Sequence, residues 1–289
     1  MTPEQLGFIE TGPNGWAKTV RDSAVIFRSL TDFADFAPIE QLQREVMGTT
    51  DLDIFPASGL IVVPETGGHV LAAYLDGQLA GALYGFGGFH HGTPRVVSDW
   101  MGVWPRYRSA GIGAELKTLQ AAIASMAGFR EVVWTVDPLR AANARLNFEK
   151  LGAYSDHYEE NRYGADYAAG LYGGLPTDRL HMNLPLTDRA VEARLTGRIP
   201  PRTAGDIAGV PQFSPGITVD RALINLPSDI DQLVATDLTA AISWRYALRT
   251  NIQAALAEGF VIRGFIPATA ERGALSAYLI ERDEGHASG

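Results

Sequence analysis

Apolar residues recur along this chain at two periods, and the places where the period changes mark out its elements. Val25 to Leu30 reads as a short strand, and Phe36 to Val46 as a helix with Phe36, Ile39, Leu42 and Val46 on one stripe. Gly48 to Gly68 is loop-like around the apolar run Leu60 to Val63. Val70 to Leu75 and Leu79 to Phe86 predict two strands joined at Asp76-Gly77, a hairpin signal. Gly85, Gly87 and Gly88 mark a bulge or a close approach to the backbone, and a His90-His91-Gly92 turn leads to a strand over Val96 to Val103. Ala114 to Ala127 is helical, with Leu116, Leu119, Ile123 and Ala127 in register and Glu115, Lys117 and Gln120 as its polar residues. Glu131 to Val136 is a compact strand, and Ala141 to Leu151 a helix capped by Gly152.

Beyond this point the pattern loosens. Arg162 to Pro176 is a shaped loop, Leu180 to Leu184 a short strand, and Thr187 to Gly216 a connecting segment rich in Pro, Gly and Arg. Order resumes with a strand over Ala222 to Leu226, a long, bent helix over Ile230 to Leu256, and a strand pair over Phe260 to Ile266 and Leu275 to Glu281. The passage from a helix through Leu151-Gly152-Ala153 is echoed at Gly259-Phe260-Val261, each leading to a strand. Strands alternating with helices predict α/β packing with at least one parallel pair.

Composition narrows the classes. Hydrophobic residues at 46% and charged residues at 20% place the chain among folded globular proteins. With no cysteine there is no disulfide framework, thiolate nucleophile or cysteine-held metal. The net charge of −9 speaks against a nucleic-acid partner, which asks for a basic surface. No apolar run is long enough for a membrane span, and Met1 to Gly15 carries no signal-peptide pattern. The expectation is a cytoplasmic protein with no membrane partner.

The chemistry begins at Trp104-Pro105-Arg106-Tyr107-Arg108-Ser109-Ala110-Gly111-Ile112-Gly113, between the strand ending at Val103 and the next helix. Helix N-termini present unpaired N–H groups and partial positive charge, so they attract phosphate oxygens. Gly111 and Gly113 let the main chain curve around an anion, and Arg108 adds charge beside it. The turn is neither GxxxxGK[ST], because Ala114-Glu115 follows Gly113, nor GxGxxG.

Val103-x-Pro105-x-x-Arg108-x-x-Gly111-x-Gly113 resembles the acyl-CoA signature of the GNAT superfamily of N-acetyltransferases, and Asn147-Phe148-Glu149-Lys150-Leu151-Gly152 resembles that family's downstream helix ending. Trp134 to Phe148 is similar to a less characterised branch of predicted acetyltransferases, and the C-terminal part extends beyond the minimal family domain. The resemblance implies an α/β (α+β) fold: a mixed central sheet flanked by helices and splayed into a V between Val96–Val103 and Glu131–Val136. An additional C-terminal α/β segment is expected. Residues 1–184 would be the acyl-CoA-binding catalytic domain, and 185–289 an extension or small second domain that completes the sheet or covers the acceptor.

The cosubstrate implied is acetyl-CoA or another acyl-CoA. Its pantetheine arm would lie against the backbone near Met101 and Val103, and its diphosphate on the amides of Arg108, Ser109, Ala110, Gly111, Ile112, Gly113 and Ala114. The acceptor expected is the amine of a small molecule or amino acid, for a monomer or homodimer. Protein N-acetylation and a noncatalytic carrier-binding module are the alternatives. Two departures stand out. The family's usual Tyr, proposed there as the acid for the leaving thiolate, is Phe148 here, and its usual Asn falls on Ala141, with Asn143 two positions later.

Direct acyl transfer needs a positioned amine, a polarised carbonyl and a proton acceptor. Asp99, alternating with Val97, Met101 and Val103, is the leading candidate base, or else a hydrogen-bonded strand Asp. Glu159 and Glu160 are the next candidates, and Tyr163 and Tyr172 are candidates for the missing acid, each also readable as a surface or cleft-lining residue. His90 and His91 read as turn residues, His181 faces cleft or core, and Arg245 reads as a surface arginine or a contact for an acidic acceptor. No HExxH or other metal pattern occurs, so no metal site is expected.

Overall fold

The computed structural model describes residues 1–48, 51, 53–164, 173–269 and 275–283. They form two compact units, one of Met1–Trp134 and Leu184–Arg198, the other of residues 135–164, 173–183 and 199–283.

In the first unit seven strands lie in sequence order: β1 (Ile9–Gly12), β2 (Gly15–Val20), β3 (Ser23–Ser29), β4 (His69–Leu75), β5 (Gln78–His90), β6 (Thr93–Val103) and β7 (Glu131–Val136). β1 to β6 pair antiparallel and β7 joins β6 in parallel. Asp76 and Gly77, at φ 51 and 74, make the expected two-residue hairpin turn between β4 and β5. A parallel pair needs a crossover, and α3 (Ile112–Met126) supplies it.

Helices cover both faces of this sheet. α1 (Ala37–Met47) packs Phe36, Ile39 and Leu42 with Leu60 of α2 (Ala57–Leu60), Val70, Ala72, Ala82 and Tyr84. α3 lies on the other face, where a Cβ at Gly81 would meet Ile112 and one at Gly85 would meet Gln120. α5 (Arg189–Leu195), inside the segment expected to be a plain connection, is capped by Asp188, which accepts from the Ala190 amide. β1 and β2 were not legible as strands, since β1 is largely exposed and its residues show no alternation.

The second unit carries the strands β9 (Arg179–Pro185), β8 (Tyr154–Glu159), β11 (Phe260–Ile266), β12 (Leu275–Arg282) and β10 (Arg221–Pro227), in that spatial order. The pairs β9–β8, β8–β11, β11–β12 and β12–β10 are antiparallel. α4 (Ala141–Ala144) runs on as a π-helical segment, Arg145–Leu151, ended by Gly152 at φ 77. The helix expected over Ile230 to Leu256 is two, α6 (Ile230–Thr236) and α7 (Leu238–Ala257). They are separated at Asp237, whose side chain accepts from the Ala240 amide and caps α7. Gly259, at φ 82, ends α7 as Gly152 ends its helix, and the two strands that follow are neighbours at Ile262↔Ser155.

The architecture is the expected mixed α/β fold, a sheet flanked by helices with C-terminal strands added. No helix among the described residues is long and apolar enough to cross a membrane.

Candidate active site

The strand exit after Val103 forms a short 3-10 turn, Pro105–Tyr107, before α3 begins at Ile112. Arg106 is sandwiched by aromatic rings, 5.0 Å from Trp104 and 4.9 Å from Tyr107, which stiffens the exit. Ser109 at φ 63 and Gly111 at φ 95 bend the chain through the left-handed region. Five amides are spent inside the turn: Tyr107 on Trp104 O, Arg108 on Pro105 O, Ala110 on Tyr107 O, and Ala114 and Glu115 on Gly111 O. Those of Ser109, Gly111, Ile112 and Gly113 make no backbone hydrogen bond among the described residues. They cluster at the positive end of a 15-residue helix, beside the exposed Arg108. The expected run of donors from Arg108 to Ala114 is thereby reduced to these four. Gly113 also lies close to β6, since a Cβ there would stand 3.3 Å from the Met101 methyl.

The parallel ladder between β6 and β7 is short, running over Arg95↔Glu131, Val96↔Val132 and Val97↔Val133. From Ser98 and Trp134 onward no pair joins the two strands among the described residues, although both continue. The antiparallel register with β5 shifts at the same level: Tyr84 faces Trp100, but Gly85 faces Ser98. Asp99 is therefore the extra residue of a β-bulge. That changes the face argument made from alternation. Val96, Ser98, Met101 and Val103 pair with Gly87, Gly85, Leu83 and Gly81 on the α3 face, while Val97 pairs with Phe86 on the other. Asp99 is exposed, and a bulge re-aims a side chain out of the pleat, a device found beside active sites.

The second unit holds the remaining candidates. Phe148 is 0% exposed and packs edge-on against Tyr278 at 5.6 Å, so its position is closed to solvent. Asn143 is exposed on α4. Glu159 accepts from His181 Nε2 at 2.7 Å and from Arg162, whose guanidinium also lies 5.6 Å from the Tyr163 ring. Burial pushes the Glu159 carboxyl up, but the hydrogen bonds from His181 and Arg162 outweigh it and hold its pKa below the usual range. Glu159 is thus a poor proton acceptor as it stands. Burial lowers His181, which keeps its imidazole neutral near pH 7 despite the carboxylate. Tyr163 is exposed, its hydroxyl 3.5 Å from Thr135 Oγ1.

Other candidates have structural work. Glu160 is engaged by Arg249 and Gln253, at 2.8 Å each. Arg245 is not a surface residue: it is 0% exposed and donates to Asp137 at 2.8 Å. Buried Glu149, in the string that resembles the family helix ending, accepts from the Arg202 amide and side chain and from the Phe265 amide. His91 is a turn residue as expected, while His90 is the last residue of β5 and pairs with Thr93; both are exposed. Tyr172 lies outside the described residues.

Sequence reasoning missed a buried group on α3. Lys117 and Gln120, read as its polar residues, are both enclosed. Lys117 donates to Ser98 Oγ at 2.7 Å with its Nζ 4.0 Å from the Trp134 ring. The only available signal was a Lys directly beside the apolar stripe at Leu116 and Leu119. No group of three or more His, Asp or Glu that could hold a metal occurs among the described residues.

No protein-family model and no curated protein matches the chain. Solved structures do resemble it. An acetyltransferase of the GNAT family from Streptococcus pneumoniae is 20% identical with a TM-score of 0.44, covering 55% of this chain and 97% of its own. A Salmonella typhimurium protein solved with its cofactor acetyl-CoA is 20% identical with a TM-score of 0.47, covering 57% and 96%. The ribosomal-protein-S18-alanine N-acetyltransferase from Escherichia coli is 16% identical with a TM-score of 0.45, covering 57% and 95%.

Proposed function

We propose that this chain is an acyl-CoA-dependent N-acyltransferase acting on the amine of a small molecule or amino acid. The observation that carries the reading is the cluster of four uncommitted amides at Ser109, Gly111, Ile112 and Gly113, heading α3 beside Arg108. Such a cluster fits the diphosphate of a carrier, and the string around it resembles an acyl-CoA signature. The carrier would run back along β6 past Val103 and Met101, with its acyl end toward Asp99 and Ser98. In the transfer the amine nitrogen attacks the thioester carbonyl, the C–N bond forms, the C–S bond breaks and CoA leaves as thiolate. Asp99 takes the amine's proton, directly or through water, and a β6 amide polarises the carbonyl. Tyr163 is the candidate to protonate the thiolate in place of Phe148. Glu159, the weaker acceptor because His181 and Arg162 hold its carboxylate, is the second candidate base, and Asn143 is a candidate carrier contact.

Calorimetry of the full chain with CoA and acetyl-CoA tests the carrier. Binding that weakens with salt and with Arg108→Ala is expected, and a folded sample that binds neither refutes the reading. An acyl-CoA panel against mixed amines, read by free thiol and product mass, then identifies donor and acceptor. One observation favours a noncatalytic carrier-binding module instead: the position of the family's acid is a phenylalanine sealed against Tyr278. Turnover with a defined amine excludes that module.

A further inference from the structure

Lys117 is one of only three lysines in the chain and is 4% exposed. Its Nζ donates to Ser98 Oγ at 2.7 Å and stands 4.0 Å from the centre of the Trp134 ring. The β6–β7 ladder ends at Val97↔Val133, so Ser98 and Trp134 are the first residues past it on their two strands. A single side chain from α3 thus grips both strands at the step where their pairing stops. Packing alone gives no reason for an amine at this place. Burial, with no charged partner contributing, pushes its pKa down to about 7, and an unbranched apolar side chain would fill the same space without that penalty. Ser98 itself is tightly seated: a Cβ at Gly85, opposite it, would lie 2.7 Å from Val97 O, 2.9 Å from Ser98 Cα and 3.0 Å from Gln120 Nε2.

We propose that Lys117 is a positioning residue for acyl transfer, clamping Ser98 and Trp134 so that the end of the β6–β7 ladder stays at one depth and gives the acyl group a fixed floor. The inference rests on the carrier reading above, in which the acyl end travels along β6 toward Ser98. Lys117 touches no reacting atom; it acts through the two residues it holds. Acyl-chain selectivity then depends on Lys117, because a floor that can recede admits longer chains.

The test uses the full chain with Lys117→Met, Ser98→Ala, Ser98→Thr and the Lys117→Met/Ser98→Ala double variant. In Lys117→Met, kcat should fall about tenfold or more with carrier affinity within about twofold of wild type. The rate with butyryl relative to acetyl donor should rise. Ser98→Ala should move both readouts the same way, Ser98→Thr should restore them, and the double variant should be no worse than Lys117→Met, because the residues act as a unit. Unchanged kcat and donor preference in folded Lys117→Met overturn the proposal, as do additive effects in the double variant. Where Lys117→Met does not fold, Ser98→Ala carries the same readouts. Amide exchange at Ser98 and Trp134, measured without carrier, separates this idea from the one beneath it. Exchange at these two amides about tenfold faster in Lys117→Met, relative to the other amides of β5 and α3, supports the clamp, and an unchanged ratio sinks it even if the wild type binds CoA. Fast exchange in the variant with no carrier binding by the wild type refutes the carrier reading, and the positioning role falls with it.

Discussion

Replacing Lys117 by methionine should make the protein more stable near pH 7, and the gain should vanish as pH rises. Lys117 has a folded-state pKa of about 7 against an ordinary value of 10.5. Between those values the unfolded chain holds a proton that the folded chain has given up, so folding is penalised at low pH and relieved as pH rises. At about 1.4 kcal/mol per pH unit, the penalty near pH 7 is about 4 kcal/mol and falls to about 2 kcal/mol near pH 9. Methionine escapes it but forfeits the hydrogen bond to Ser98 and leaves that buried hydroxyl without it, together about 2 kcal/mol. Lys117→Met should therefore lead by about 2 kcal/mol at pH 7 and draw level with the wild type at pH 9. Urea unfolding of both proteins at the two pH values, followed by far-ultraviolet circular dichroism, measures the difference. The chain has no cysteine, so no thiol titrates in this window. A difference that is the same at pH 7 and pH 9 would show that this amine does not titrate differently on folding and would refute the predicted crossover.

Other outcomes follow from the same geometry. Asp99→Asn should lower kcat by about a hundredfold with carrier affinity unchanged; full activity in that variant removes Asp99 as the base. Gly111→Ala should cost about 1–2 kcal/mol by calorimetric melting and weaken CoA binding. The reason is that Gly111 sits at φ 95 with a new Cβ 3.1 Å from Val20, and a neutral result would mean that the turn does not hold this shape. Arg245→Met leaves buried Asp137 without its guanidinium and should destabilise by about 3–5 kcal/mol. Adding Asp137→Asn should recover part of that loss in urea unfolding, and no recovery would show that the ion pair is not the source.

Local order supplied the elements and the turn. Period-two runs marked β4 to β7 and β10 to β12, the helical stripe marked α1 and α3, and glycines at 77, 111, 152 and 259 marked bends that need a positive φ. These signals sit within a few residues of their cause, so one sequence is enough to read them. The turn from Arg108 to Gly113 belongs to the same class, because the amides it leaves open, at Ser109, Gly111, Ile112 and Gly113, lie within one short stretch of chain. Tertiary structure decided what depends on a partner far along the chain. Asp99 looked like a strand residue sharing a face with Val97 and Met101, until pairing with β5 made it the bulge. Arg245 looked exposed until Asp137, 108 positions away, took it into the core. Lys117 read only as one of the polar residues of its helix, because Ser98 and Trp134 reach it only when β6, β7 and α3 come together. A charged side chain carries no local mark of burial; only the groups packed around it set the dielectric and the hydrogen bonds that determine what it does.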